Sequence, residues 1–140
     1  MPASKAHDLI VAMITKRIVA AGYQIAAIDS CFDWVFGSGF RLPPTIIRHR
    51  PDVLGVRDTP PFLAIGDAKT PGDLGARRTQ EQLRDFASLR VRADGEPCLV
   101  VLGIPRSGEP RLHDLLRRIG VPRDRILVMA VPDVLLPGTE

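Results

Sequence analysis

Asp67 and Lys69 close the run Phe62-Leu63-Ala64-Ile65-Gly66-Asp67-Ala68-Lys69. Residues two apart on a strand project from one face, about 7 Å apart along the chain. Leu63 and Ile65 share that face, so an apolar row runs into a charged end. Asp52 precedes Asp67 by 15 residues and opens its own apolar run, Val53 to Val56. A polar, proline-bearing link joins the two runs, and a hairpin of that length sets Asp52 beside Asp67. Two carboxylates and one ammonium then meet at one end of a sheet. Paired carboxylates repel unless a cation separates them, and hard oxygen donors suit Mg²⁺, with Mn²⁺ as its substitute. The Ala68 carbonyl, between the charged residues, offers a third oxygen. A cation held in this way polarises a phosphoryl group and activates a bound water. Lys69 is placed to orient that water and to offset the charge building on the phosphorus. This inventory suits phosphodiester hydrolysis. The plain alternative is an Asp67–Lys69 ion pair on a sheet edge, which is worth little.

The basic residues sharpen the choice. Of 19 Lys and Arg, only Lys5, Lys16 and Lys69 are lysines. Lys69 alone among them follows an acid by two positions, in a chain that otherwise writes positive charge as arginine.

The elements that must position these groups are legible in outline. Leu9, Ile10, Met13, Ile14 and Ile18 fall near helical spacing and predict a helix over 5–21, capped by Ser4 and ended by Gly22. Tyr23 to Ile28 reads as a strand. Residues 31–36 alternate, with Phe32, Trp34 and Phe36 on one side, before the Gly37-Ser38-Gly39 turn. Strands follow at Asp52 to Val56 and Phe62 to Ala68, then a helix over 76–91 with Leu83, Phe86 and Ala87 on one face. Leu99 to Leu102 is a buried strand. Pro110 opens a helix carrying Leu112, Leu115, Leu116 and Ile119, stopped by Gly120 and Pro122. Ile126 to Val131 is a last strand, and the tail from Pro132 is expected to fray. Helices alternating with strands in this order predict an α/β fold with a mixed sheet flanked by helices.

Pro51-Asp52 followed by Asp67-Ala68-Lys69 resembles the PD-(D/E)xK nuclease signature, the superfamily of restriction endonucleases and archaeal Holliday-junction resolvases. The resemblance implies a restriction-endonuclease-like core of a helix, a three-stranded hairpin system, a helix and a further strand, over about residues 5–104. It implies Asp52, Asp67 and Lys69 as catalytic residues, with Mg²⁺ held by Asp52, Asp67 and the Ala68 carbonyl. Many members add an acid from the first helix, and Asp8 is the acid available for that role. Some carry a glutamine followed four residues later by an aromatic; Gln82 and Phe86 have that spacing and put Gln82 at the substrate.

Further residues suit a DNA partner. Arg48, His49 and Arg50 precede Asp52 and are candidates for phosphates on either side of the cut; a solvated strand edge is the alternative. Arg77 and Arg78, after the Thr70-Pro71-Gly72 loop, suit backbone contacts. Phe32, Trp34, Phe36 and Phe40 hold four of the seven aromatics. They suit base stacking, a core or a homodimer contact. Two cysteines, Cys31 and Cys98, make neither a disulfide framework nor a zinc site.

Composition bounds these readings. At 140 residues, with 45% hydrophobic and 25% charged residues, the chain is expected to fold as one domain over 1–140 and is not disordered. No apolar run nears the roughly 18 residues of a membrane span, so a soluble, cytoplasmic protein with no membrane partner is expected. A net charge of +3 permits nucleic acid without requiring it. A nucleotide-binding domain is disfavoured, because Gly37-Ser38-Gly39 has no helix directly behind it. The remaining competitor is a catalytically inactive nuclease-fold module that binds DNA or protein.

Overall fold

The computed structural model describes residues 5–29, 48–91 and 95–137. Its elements are α1 (Lys5–Ala20), β1 (Gln24–Ile28), β2 (Val53–Val56), β3 (Leu63–Ala68), α2 (Arg77–Ser88), β4 (Arg90–Val91), β5 (Glu96–Pro97), β6 (Leu99–Pro105), α3 (Glu109–Arg118) and β7 (Leu127–Val131). Five strands make one mixed sheet in the order β1-β2-β3-β6-β7. The β1–β2 and β2–β3 pairs are antiparallel, and the β3–β6 and β6–β7 pairs are parallel. The parallel pairs need crossovers, which α2 and α3 supply. The protein is therefore α/β, with a five-stranded mixed sheet flanked by helices. None of its described helices is long and apolar enough to cross a membrane.

The alternation of β3 divides the core in two. Leu63 and Ile65 face α2 and α3, where Leu83, Phe86, Leu112, Leu115 and Leu116 pack with Val100, Leu102 and Ile104. Ala64 and Ala68 face α1, among Ile10, Val11, Ile14, Ile18, Val53 and Val101. On this second side the sheet is hollowed by glycine. A Cβ on Gly66 would stand 2.5 Å from Ile14 Cγ2, and one on Gly103 would stand 2.5 Å from Ile10 Cγ2. No side chain fits at either place, so the isoleucines of α1 sink onto the strand backbones. That close approach also brings the first turn of α1 down to the end of β3.

Several expected boundaries move. The helix predicted over 76–91 stops at Ser88, and Arg90–Val91 turns back to pair with Glu96–Pro97. Tyr23 precedes β1 instead of opening it; it is buried, and its hydroxyl donates to Pro61 O at 2.6 Å. The tail does not fray at Pro132. Asp133 accepts from Ser107 N at 2.9 Å and from Ser107 Oγ at 2.5 Å, and Leu136 is buried. Ser4, Cys31 and the aromatics Phe32, Trp34, Phe36 and Phe40 lie outside the described residues.

Candidate functional site

The β2–β3 hairpin brings Asp52 and Asp67 together, as their spacing predicts. Asp52 lies one residue before β2, its main-chain N–H bonded to Gly66 O at 3.0 Å. One rung further, the backbone partner is missing, and the Asp52 carboxylate replaces it: Oδ2 accepts from Ala68 N at 2.8 Å. Continuing the register in which Val53 faces Gly66, Asp67 stands opposite Asp52 and Ala68 one rung beyond, between Asp67 and Lys69. Lys69 follows the end of β3, its N–H anchored to Gly103 O on β6 at 2.9 Å. The turn beyond it is fixed by Asp73, whose Oδ2 accepts from Thr70 N at 2.8 Å and Thr70 Oγ1 at 3.0 Å. This cluster stands at the carboxyl end of β3, beside its parallel neighbour β6, and open α/β sheets place ligands at the carboxyl ends of their parallel strands.

Asp52, Asp67 and Lys69 are all buried, at 8%, 3% and 8% exposure. Charged residues are almost never this buried unless paired, and the pairing here is incomplete. Lys69 Nζ lies 2.8 Å from Asp67 Oδ2, an ion pair in which one ammonium is shared with a second acceptor. The same Nζ donates to Gln82 Oε1 at 2.7 Å. The carboxyls of Asp52 and Asp67 are within hydrogen-bonding reach of each other. Burial first, and then the charge of Asp52, push Asp67 well above the ordinary aspartate range despite Lys69. Burial also works to raise Asp52. The bonds from His7, Asp67 and the Ala68 N–H outweigh it and hold Asp52 below its usual value. Two neighbouring carboxyls with pKa values driven apart are a common sign of a functional site.

His7 is the residue the sequence reading missed. Its Nε2 stands 3.3 Å from Asp52 Oδ2, and its Nδ1 stands 4.0 Å from Asp8 Oδ1. The bond to Asp52 raises its pKa against the pull of burial, and the charges of Asp52, Asp67 and Asp8 add to the rise. Asp8, the expected first-helix acid, is buried at 5% exposure and reaches the cluster's surroundings through His7. The signal for His7 was present in the sequence. It precedes Ile10 by three and Ile14 by seven, on the helical stripe that enters the glycine hollow.

Gln82 is brought to the site by α2, and the remaining candidates divide. Arg48 Nε donates to Asp85 Oδ2 at 2.9 Å, with the Arg48 side chain 59% exposed. His49 is not on the surface as expected. It is 3% exposed, its Nε2 is 2.7 Å from the same Asp85 oxygen, and its ring meets Phe86 edge-on at 5.8 Å. Arg50 is exposed. Arg77 and Arg78 stand exposed at the start of α2, and Arg77 Nε is 3.5 Å from Glu81 Oε1.

Two neighbouring carboxyl groups at one strand end are a donor set suited to Mg²⁺. That ion takes one or two carboxylates and keeps several waters. Among the described residues no three His, Cys, Asp or Glu side chains form a ready-made cage. Remaining positions would therefore fall to water and to substrate oxygens. No family model, curated protein or solved structure matches this chain.

Proposed function

We propose that the protein is a Mg²⁺-dependent endodeoxyribonuclease of PD-(D/E)xK type, hydrolysing DNA phosphodiester bonds and selecting its substrate by structure (junction, flap or end). The observation that carries this reading is the buried Asp52–Asp67 pair beside Lys69, whose Nζ is 2.8 Å from Asp67 Oδ2. The chain order supports it too. A helix, three antiparallel strands, a helix and a parallel strand is the sequence of elements a restriction-endonuclease-like core requires.

Mg²⁺, when bound, would neutralise the phosphate and activate the attacking water. Asp52 and Asp67 would hold it, Asp52 already oriented by the Ala68 N–H and His7. Lys69 needs no large movement to serve the reacting phosphate, because Gln82 fixes its Nζ beside Asp67. An ammonium so placed can donate to a water and to a developing oxyanion with little reorganisation. One such centre cuts one strand at a time, so the proposal includes a homodimer, in which a symmetric pair cuts both. Light scattering with and without DNA should find the dimer; a monomer in both conditions removes that part.

The test is a panel of duplex, single-stranded, flapped and four-way-junction DNA, each with Mg²⁺ and with EDTA. Cleavage in Mg²⁺ or Mn²⁺ and none in EDTA is expected. The pairing of His7 with Asp52 and of Lys69 with Asp67 favours a second reading, a nuclease-fold binding module without activity. Binding without metal-dependent cleavage across the panel would establish that second reading.

A further inference from the structure

Asp85 has no part in the site described above, yet α2 sets it one turn beyond Gln82, the residue that holds Lys69. Its Oδ2 takes two bonds, from Arg48 Nε at 2.9 Å and from His49 Nε2 at 2.7 Å. A carboxylate only accepts, so His49 Nε2 is the protonated nitrogen. His49 is buried against Phe86, three residues before Asp52, and so pins the chain that delivers Asp52 to the helix that holds Lys69. Arg48 makes the opposite use of the same oxygen. Among the described residues only its Nε is engaged, and the side chain is 59% exposed. A guanidinium anchored through Nε keeps the N–H groups of both Nη atoms for a phosphate. The four residues from Arg48 to Asp52 span at most about 14 Å. A phosphate held by Arg48 therefore lies within a few nucleotides of the one being cut.

We propose that Asp85 is a positioning residue for the nuclease reaction, holding Arg48 to receive a flanking phosphate and holding His49 to fix Asp52 relative to Lys69. The inference rests on the nuclease reading above.

Removing a carboxylate from a protein surface ordinarily tightens binding to a polyanion. Asp85→Asn is expected to weaken it. Binding of the DNA structure that wild type cuts is measured in Ca²⁺ over a series of salt concentrations, for wild type, Asp85→Asn, Arg48→Gln and the double variant. Each single variant should lower the salt slope by about 0.9, the value of one phosphate contact, and the double variant should lower it no further. Cleavage in Mg²⁺ separates the two arms. Arg48→Gln should raise KM alone, whereas Asp85→Asn should also lower kcat about tenfold, less than the roughly 100-fold a full 1 Å displacement can cost. A purely structural Asp85 would lower Tm and leave the salt slope alone. Arg48→Gln changes a largely exposed side chain, so an unchanged slope there overturns the proposal even if Asp85→Asn does not fold. If wild type neither binds nor cuts DNA, the nuclease reading fails and takes this inference with it. If wild type does both and Asp85→Asn binds as tightly or tighter, only this inference fails.

Discussion

The β2–β3 hairpin carries charge at both ends and treats it in opposite ways. At the loop end, the Arg57 guanidinium is covered with partners. Nε donates to Thr59 O at 3.0 Å and Pro61 O at 3.1 Å, Nη1 to Ala21 O at 2.6 Å and Nη2 to Pro60 O at 2.8 Å. Its carbon lies 4.3 Å from the centre of the Tyr23 ring. Among the described residues neutral carbonyls and an aromatic face satisfy the cation without a counter-charge, and they tie the loop to the end of α1. At the other end two buried carboxyls crowd each other, with one ammonium, that of Lys69, beside them. The first arrangement stabilises the fold. The second is strained electrostatically, held in place by the rest of the sheet, and this is the pattern of charge kept for chemistry.

That contrast can be broken at several points. The largest expected effect is Asp52→Asn, which removes an anionic oxygen from the site at constant volume. Cleavage in Mg²⁺ of the DNA structure the panel identifies as substrate should fall on the order of 1000-fold, with the circular dichroism spectrum unchanged. Cleavage at the wild-type rate would remove Asp52 from the machinery.

Lys69→Arg keeps the charge and changes the shape. A guanidinium is wide and planar and forks across carboxylates, so it would pair with Asp67 or Asp52 and lose the point-like donor held by Gln82. Single-turnover cleavage should slow roughly 100-fold while DNA binding in Ca²⁺ is kept. Near-normal cleavage would reduce Lys69 to a bare charge.

Arg57→Ala probes the other end. It should cost about 2–3 kcal/mol of stability by urea denaturation, through lost charged hydrogen bonds and the ring contact. Cleavage per folded molecule should not change. A variant as stable as wild type would mean that the loop end contributes nothing special, and the comparison would fail there.

How far the two ends were legible in the sequence follows from how local each is. Asp52, Asp67 and Lys69 come together through one hairpin and one strand period, so spacing alone places them. His7 and His49 depend on packing. His7 reaches Asp52 because Gly66 and Gly103 let α1 sink, and His49 turns inward because Asp85 and Phe86, over thirty residues later, receive it. The Arg57 cluster joins α1, β2 and the proline link, and no spacing rule anticipates a cation satisfied by carbonyls. The order of α1, β1, β2, β3, α2, β6, α3 and β7 was readable because each carries its own apolar period; the short β4–β5 pair has none and was missed. Only ends set by tertiary pairing moved, such as Ser88, where β4 takes over.

A smaller, graded effect should appear with pH. Asp67 in the fold holds its proton above the 3.8 of a free aspartate, so the folded state binds more protons than the unfolded one in that window. Its contribution is fully present below 3.8 and is lost as pH rises through the raised value. His7, raised above 6.5, has the same sign at higher pH. Asp52, being lowered, contributes above 3.8 and loses its share only as pH falls below that. In EDTA, the urea midpoint of Asp67→Asn should therefore gain on wild type as pH rises from 4. A constant difference would mean that Asp67 is not strained.

The most direct measurement takes Asp67→Asn at neutral pH and reads two quantities on one preparation, Mg²⁺-dependent cleavage of the DNA structure that wild type cuts and thermal unfolding in EDTA. Charge kept for chemistry predicts that they move apart, with cleavage lost and Tm equal to or above that of wild type. Cleavage at the wild-type rate, or a Tm well below wild type, would contradict the account.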